Sequence, residues 1–188
     1  MKIRELTLSE IRKIYKEYLY YDFPDDERKP LSRIEKSIRD GQYICIGAFS
    51  EEEEILAYAF FVFFQEKCLL DYYAVVPKMR GKGIGSDFLS SAVKSTSFGV
   101  TIIEIEDPDT GSPKEKKERR RRLSFYLKAG CVNTHVRVIG FGVEYLLLEY
   151  PLHGTHTEEE IAEGYKDIYR SILPKRMFER NIAVIGEK

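Results

Sequence analysis

Apolar positions along the chain switch between two spacings, and the switches mark a succession of strands and helices. Lys2 to Leu6 reads as a short strand. Thr7, with Glu10 after it, forms a capping-box pattern, and Ile11, Ile14, Tyr15, Tyr18 and Leu19 then recur at helical spacing. Asp22-Phe23-Pro24-Asp25-Asp26 breaks that helix and predicts an acidic loop. Leu31, Ile34 and Ile38 give a second helical stripe closed by Gly41. Strand segments follow at 43–49, 55–65 and 68–76, with connections short enough for antiparallel hairpins. Pro77 ends the last of them. A helix is predicted from about Gly83 to Ser97, with Ile84, Phe88, Leu89, Ala92 and Val93 on one face. A strand at 100–105, a loop at 107–113 and a basic helix at 115–129 come next, the helix stopped by Gly130. Strands at 131–139 and 143–150 flank Gly140-Phe141-Gly142. Thr157 and Glu160 then head a helix with Ile161, Tyr165, Ile168, Tyr169 and Ile172 on one side, ending before Pro174.

This order predicts a mixed α/β fold, with a mostly antiparallel sheet flanked by helices. A length of 188 residues suits one well-buried core. The expected division is a main domain over 1–152 and a helical extension over 153–188. The apolar side of that extension needs cover, from its own domain or from a second copy in a homodimer. Thirty basic against 31 acidic side chains leave a net charge of −1, so no global pull toward nucleic acid or an anionic membrane is expected. Cys45, Cys68 and Cys131 are far apart, and His135, His153 and His156 lack ligand company, so no metal is expected. Reduced thiols, an N-terminus without an apolar run and no stretch near the ~20 residues of a membrane span predict a cytoplasmic protein.

The chemistry concentrates in Val75-Val76-Pro77-Lys78-Met79-Arg80-Gly81-Lys82-Gly83-Ile84-Gly85, where a strand turns into a helix. Glycine permits positive φ and close approach of backbone N–H groups to a ligand. The unpaired amides at the helix start carry partial positive charge, and Arg80 and Lys82 add full charges. Such a turn suits a pyrophosphate. The GxxxxGK[ST] pattern is absent, and the dinucleotide pattern GxGxxG fails because Ser86 stands where its last glycine is required.

The R-G-x-G-x-G spacing, placed after a strand and a proline and before a helix, resembles the acetyl-CoA motif of the GNAT superfamily of N-acetyltransferases. The order of elements over residues 1–150 is similar as well. The resemblance implies a sheet splayed at the cofactor strand and acetyl-CoA as donor. It implies that Tyr73, Ala74 and Val75 line the pantetheine arm, and that Arg80, Gly81, Lys82, Gly83, Ile84, Gly85 and Ser86 hold the pyrophosphate through their amides. It also implies an oxyanion donor in the Val75 N–H and a proton donor in Tyr126, since Leu123 to Gly130 resembles the family helix whose tyrosine faces the thioester sulfur. Two positions depart from the family pattern: Arg119 replaces a frequent Asn, and Cys131 replaces the Phe after Gly130.

An attacking amine must be neutral, so a base is sought. The resemblance implies a carboxylate on the strand after the cofactor helix, where Glu104 and Glu106 share one face, with Asp71 as rival. Tyr21, Asp22 and Phe23 form the expected acceptor wall, suited to a small-molecule or peptide amine through cation–π and charge attraction. The basic run at 114–122 reads as a solvated helix face, with an RNA- or ribosome-binding module as the alternative. A catalytically silent acetyl-CoA-binding module is the other alternative.

Overall fold

The computed structural model describes residues 1–25 and 27–186. Asp26 of the acidic loop, and Glu187 and Lys188 of the extension, lie outside the described residues. In chain order the elements begin with β1 (Lys2–Glu5), α1 (Leu8–Ile14), α2 (Tyr20–Asp22), α3 (Leu31–Arg39), β2 (Tyr43–Phe49), β3 (Ile55–Phe64), β4 (Lys67–Val75) and α4 (Ile84–Thr96). They continue with β5 (Val100–Glu106), α5 (Pro113–Lys128), β6 (Val132–Gly140), β7 (Val143–Tyr150), α6 (Glu158–Ile172), α7 (Lys175–Asn181) and β8 (Ile182–Val184). The strands follow the order β1-β2-β3-β4-β5-β7-β6-β8, antiparallel at every recorded pairing except β4 with β5.

Capping chemistry explains where three helices start. Thr7 Oγ1 accepts the Glu10 N–H at 3.3 Å, while the Glu10 carboxylate accepts the Thr7 N–H at 2.8 Å, and α1 begins there. Thr157 and Glu160 repeat the arrangement at α6. Ser112 and Glu115 repeat it at α5, which therefore starts at Pro113, earlier than its apolar spacing indicates. Between α1 and α2 the helix widens into a π turn, Tyr15–Leu19, so the helical path continues to Asp22. The short α7 and β8 were not among the expected elements; β8 pairs with β6 from Val138↔Val184 to Gly140↔Ile182.

Two compact units divide the chain. The first holds residues 1–62 and 71–92. Its core includes Leu19, Ile34, Tyr58, Phe60, Phe61, Phe88 and Leu89, each fully buried and each contributing roughly 1.5–3 kcal/mol by leaving water. Phe60 meets Tyr43 and Tyr72 edge to face, both at 6.1 Å between ring centroids.

The second unit holds residues 63–70 and 93–188. Here β4 runs parallel to β5 from Lys67↔Val100 to Leu70↔Ile103, and β5 pairs antiparallel with β7. Ile161, Tyr165 and Ile168 of α6 are fully buried. Among the described residues no helix is long and apolar enough to cross a membrane.

Candidate functional site

In the first unit β4 runs out at Val75, and the Val76 N–H donates to the Leu56 carbonyl of β3 at 2.9 Å. A single turn over Pro77–Met79 follows, then Arg80 in extended conformation. Gly81 and Gly83 have φ of 76° and 80°, in the left-handed region. A Cβ at either glycine would meet nothing within 4 Å, so glycine is required there by backbone conformation alone. An L-residue in that conformation costs roughly 1–2 kcal/mol. The exposed loop leads directly into the first turn of α4.

Two contacts hold the loop. The Tyr73 hydroxyl donates to the Gly85 carbonyl, and its ring stacks on Phe88 at 5.8 Å. Arg80 reaches back, its Nε donating to the Val75 carbonyl at 2.9 Å and its terminal nitrogen to Asp22 at 2.6 Å. The other Asp22 oxygen accepts from the Tyr58 hydroxyl at 3.0 Å. Burial, followed by the nearby Asp22 charge, pushes the Tyr58 phenol well above its ordinary pKa, so it stays a donor. The Arg80 charge is therefore directed at Asp22, and the loop offers a ligand its backbone amides and the exposed Lys82. That donor set fits an extended diphosphate, the group that coenzyme A would place there.

Of the expected acceptor wall, Tyr21 is 78% exposed, Phe23 packs edge-on against Tyr72 at 5.0 Å, and Asp22 is engaged as described. Asp71 binds both the Lys29 ammonium and the Tyr43 hydroxyl. The Tyr72 hydroxyl accepts the Lys29 N–H at 2.7 Å and donates to the Glu27 carbonyl at 3.0 Å, which ties the loop before α3 to β4.

In the second unit Tyr126 lies near the end of α5. The Cys131 N–H donates to the Tyr126 carbonyl at 3.0 Å, the Gly130 N–H donates to Leu127 at 3.2 Å, and Gly130 has φ 98°. This Schellman stop fixes the last turn of α5 and the backbone of Tyr126, whose side chain is buried. Burial pushes the Tyr126 phenol above its ordinary pKa, against a smaller opposing effect from Arg122, so it holds its proton at neutral pH.

Glu104 and Glu106 share a strand face but are held by different helices. Glu104 accepts from Tyr165 at 3.0 Å and from Tyr169 at 3.1 Å, both on α6. Glu106 accepts from Arg119 at 2.6 Å and Arg122 at 3.1 Å, both on α5. Arg119 also donates to the carbonyl and hydroxyl of Thr110, so the residue that replaces the frequent Asn fastens the loop before its own helix. Sequence reasoning did not foresee the tyrosine pair on Glu104 or the buried Asp107, which accepts from Arg137 at 2.6 Å. The spacing of Tyr165 and Tyr169 was visible, but it read as a core stripe.

Comparison with known proteins bears on the family and the fold. The model of the acetyltransferase (GNAT) family matches residues 8–130. No curated protein sequence matches the chain. A GNAT-family protein from Bacteroides thetaiotaomicron superposes with a TM-score of 0.71 at 20% identity, over 92% of this chain and 97% of that one. Spermidine N-acetyltransferase from Vibrio cholerae, solved with CoA and spermine, superposes with a TM-score of 0.58 at 12% identity, over 79% of this chain and 93% of that one. A dodecameric structure of the Vibrio cholerae enzyme gives a TM-score of 0.58 at 11% identity, over 79% and 91% of the two chains.

Proposed function

Since the chain belongs to the acetyltransferase (GNAT) family and is an acyltransferase, we propose that it moves an acetyl group from acetyl-CoA directly to a primary amine. The observation that carries this reading is the loop at the head of α4, with left-handed Gly81 and Gly83 and the backward clamp of Arg80. The amides of Arg80, Gly81, Lys82, Gly83, Ile84, Gly85 and Ser86 hold the diphosphate. Backbone groups of Tyr73, Ala74 and Val75 hold the pantetheine arm. Acetyl-CoA supplies the activated acetyl thioester. The Val75 N–H stabilises negative charge developing on the acetyl oxygen. Tyr126 Oη gives its proton to the departing sulfur and regains one from solvent.

Among the candidate bases, Asp71 faces an ammonium and Glu106 faces two guanidiniums. A proton arriving at either would neutralise an ion pair with a cation, whereas the hydroxyls that Tyr165 and Tyr169 donate to Glu104 are neutral. Glu104 is therefore the favoured proton acceptor. Tyr21 and Phe23 face the acceptor, an amine of small-molecule or peptide origin, while both oxygens of Asp22 are taken by Arg80 and Tyr58. The Vibrio cholerae structure with spermine supports an amine as the class without selecting one.

Release of the CoA thiol, followed with acetyl-CoA against a panel of primary amines, tests the reading. Tyr126→Phe should lower kcat about 100-fold or more, while the calorimetric Kd for CoA stays within about twofold of wild type. Absence of turnover with every amine, alongside tight CoA binding, would favour a binding module instead.

A further inference from the structure

Helix α6 lies outside the family match at 8–130, yet two of its side chains converge on Glu104. Tyr165 and Tyr169 are four residues apart and so share one helix face. Their rings lie 4.8 Å apart, and both hydroxyls donate to the same carboxylate. Two glycines admit this convergence. A Cβ on Gly164 would sit 3.3 Å from Ile102 Cδ1, so its absence lets α6 settle onto β5. A Cβ on Gly140 would sit 3.1 Å from the Tyr165 hydroxyl oxygen and 3.3 Å from the Tyr145 ring. Phenylalanine would fill the same core equally well, so packing alone does not account for the hydroxyls.

We infer that Tyr165 and Tyr169 are positioning residues for Glu104, fixing its carboxylate and stabilising its ionised form as acceptor of the substrate ammonium proton. The inference rests on the reading of Glu104 as base given above. In the step itself the N–H bond of the ammonium breaks, an O–H bond forms on Glu104, and the proton then leaves to solvent. Burial and the adjacent Glu104 charge hold the Tyr165 phenol far above its ordinary pKa, so it donates throughout. Tyr145 on β7 also acts on the Tyr165 phenol, and Glu106, two residues along the Glu104 strand, has its charge balanced by Arg119 and Arg122 of α5.

Hydrogen bonds to a charged carboxylate lower its pKa, so removing them must raise it. Carboxyl carbon-13 titration by NMR, with the Glu104 signal assigned through Glu104→Gln, reads this without any need for turnover. Tyr165→Phe and Tyr169→Phe should each raise the Glu104 midpoint by about 0.5–1 pH unit, and the double variant by more. Gly140→Ala, which crowds the Tyr165 hydroxyl, should shift it in the same direction. The acidic limb of kcat/KM should move with the midpoint, costing the double variant about fivefold near pH 5 and little near pH 9. A purely structural role would lower the rate by one factor at every pH. An unmoved midpoint in the double variant, with its melting temperature near that of wild type, overturns the inference. A moved midpoint with an unmoved limb also overturns it, because Glu104 is then not the base, although acetyl transfer itself would stand. A wild-type enzyme inert toward every amine shows instead that the functional reading has failed, and this inference fails with it.

Discussion

Both oxygens of Asp22 are taken up inside the fold. They accept from Arg80 at 2.6 Å and Tyr58 at 3.0 Å, so Asp22 braces the loop at the head of α4 from behind. Asp22→Asn removes the charge that draws Arg80 inward. The Kd for CoA should then rise about fivefold, equal to ~1 kcal/mol, as suits a partly exposed ion pair. The KM of the amine should stay nearly constant. The reverse pattern, a higher amine KM with unchanged CoA affinity, would make Asp22 an anchor for a cationic acceptor. The turn from Arg80 to Gly85 and the helix end around Tyr126 could be read from the chain because each is a contiguous stretch. The Asp22 contact could not, since its partners stand 36 and 58 positions away. Tyr165 and Tyr169 were hidden differently: at helical spacing a tyrosine and a core hydrophobe leave the same trace.

Element boundaries divide along the same line, between local and distant causes. The capping boxes at Thr7 and Thr157 are determined within four residues, and both helices begin where the pattern predicts. The π turn at Tyr15–Leu19 and the three-residue β8 depend on contacts elsewhere in the fold, and neither leaves a local trace. Glu10 gives the first cap a measurable pH signature. Its hydrogen bond from Arg4, aided by the Thr7 N–H and hydroxyl and opposed by partial burial, lowers its pKa from the usual 4.5 to about 2. A carboxyl depressed by folding stabilises the native state above its unfolded pKa, and that contribution fades as pH falls toward 2. Glu10→Gln should therefore lower stability by about 1 kcal/mol at neutral pH, and the gap should close toward pH 2. Thermal melts at pH 7, 4 and 2 would check this; a gap independent of pH would mean that the carboxylate charge contributes nothing.

Taken whole, the chain combines near-neutral charge, an eight-stranded sheet order and a family segment spanning residues 8–130. Helical periodicity and bounded apolar runs made that architecture legible: α6 buries one periodic face, while β3 is a run buried on both faces. The three cysteines carry a consequence of another kind. All are buried, and burial raises every thiol: Cys68 and Cys131 to about 12, Cys45 further. A thiol-specific dye needs an accessible thiolate, so the folded enzyme should be nearly silent toward it. The colour that develops in a turnover assay then reports product, with little background from the catalyst. In denaturant the same dye should count three equivalents per chain. One colorimetric reagent thus measures the reaction in one cuvette and loss of the native state in the next, and a fast equivalent titrated from native protein would show that a cysteine is accessible after all.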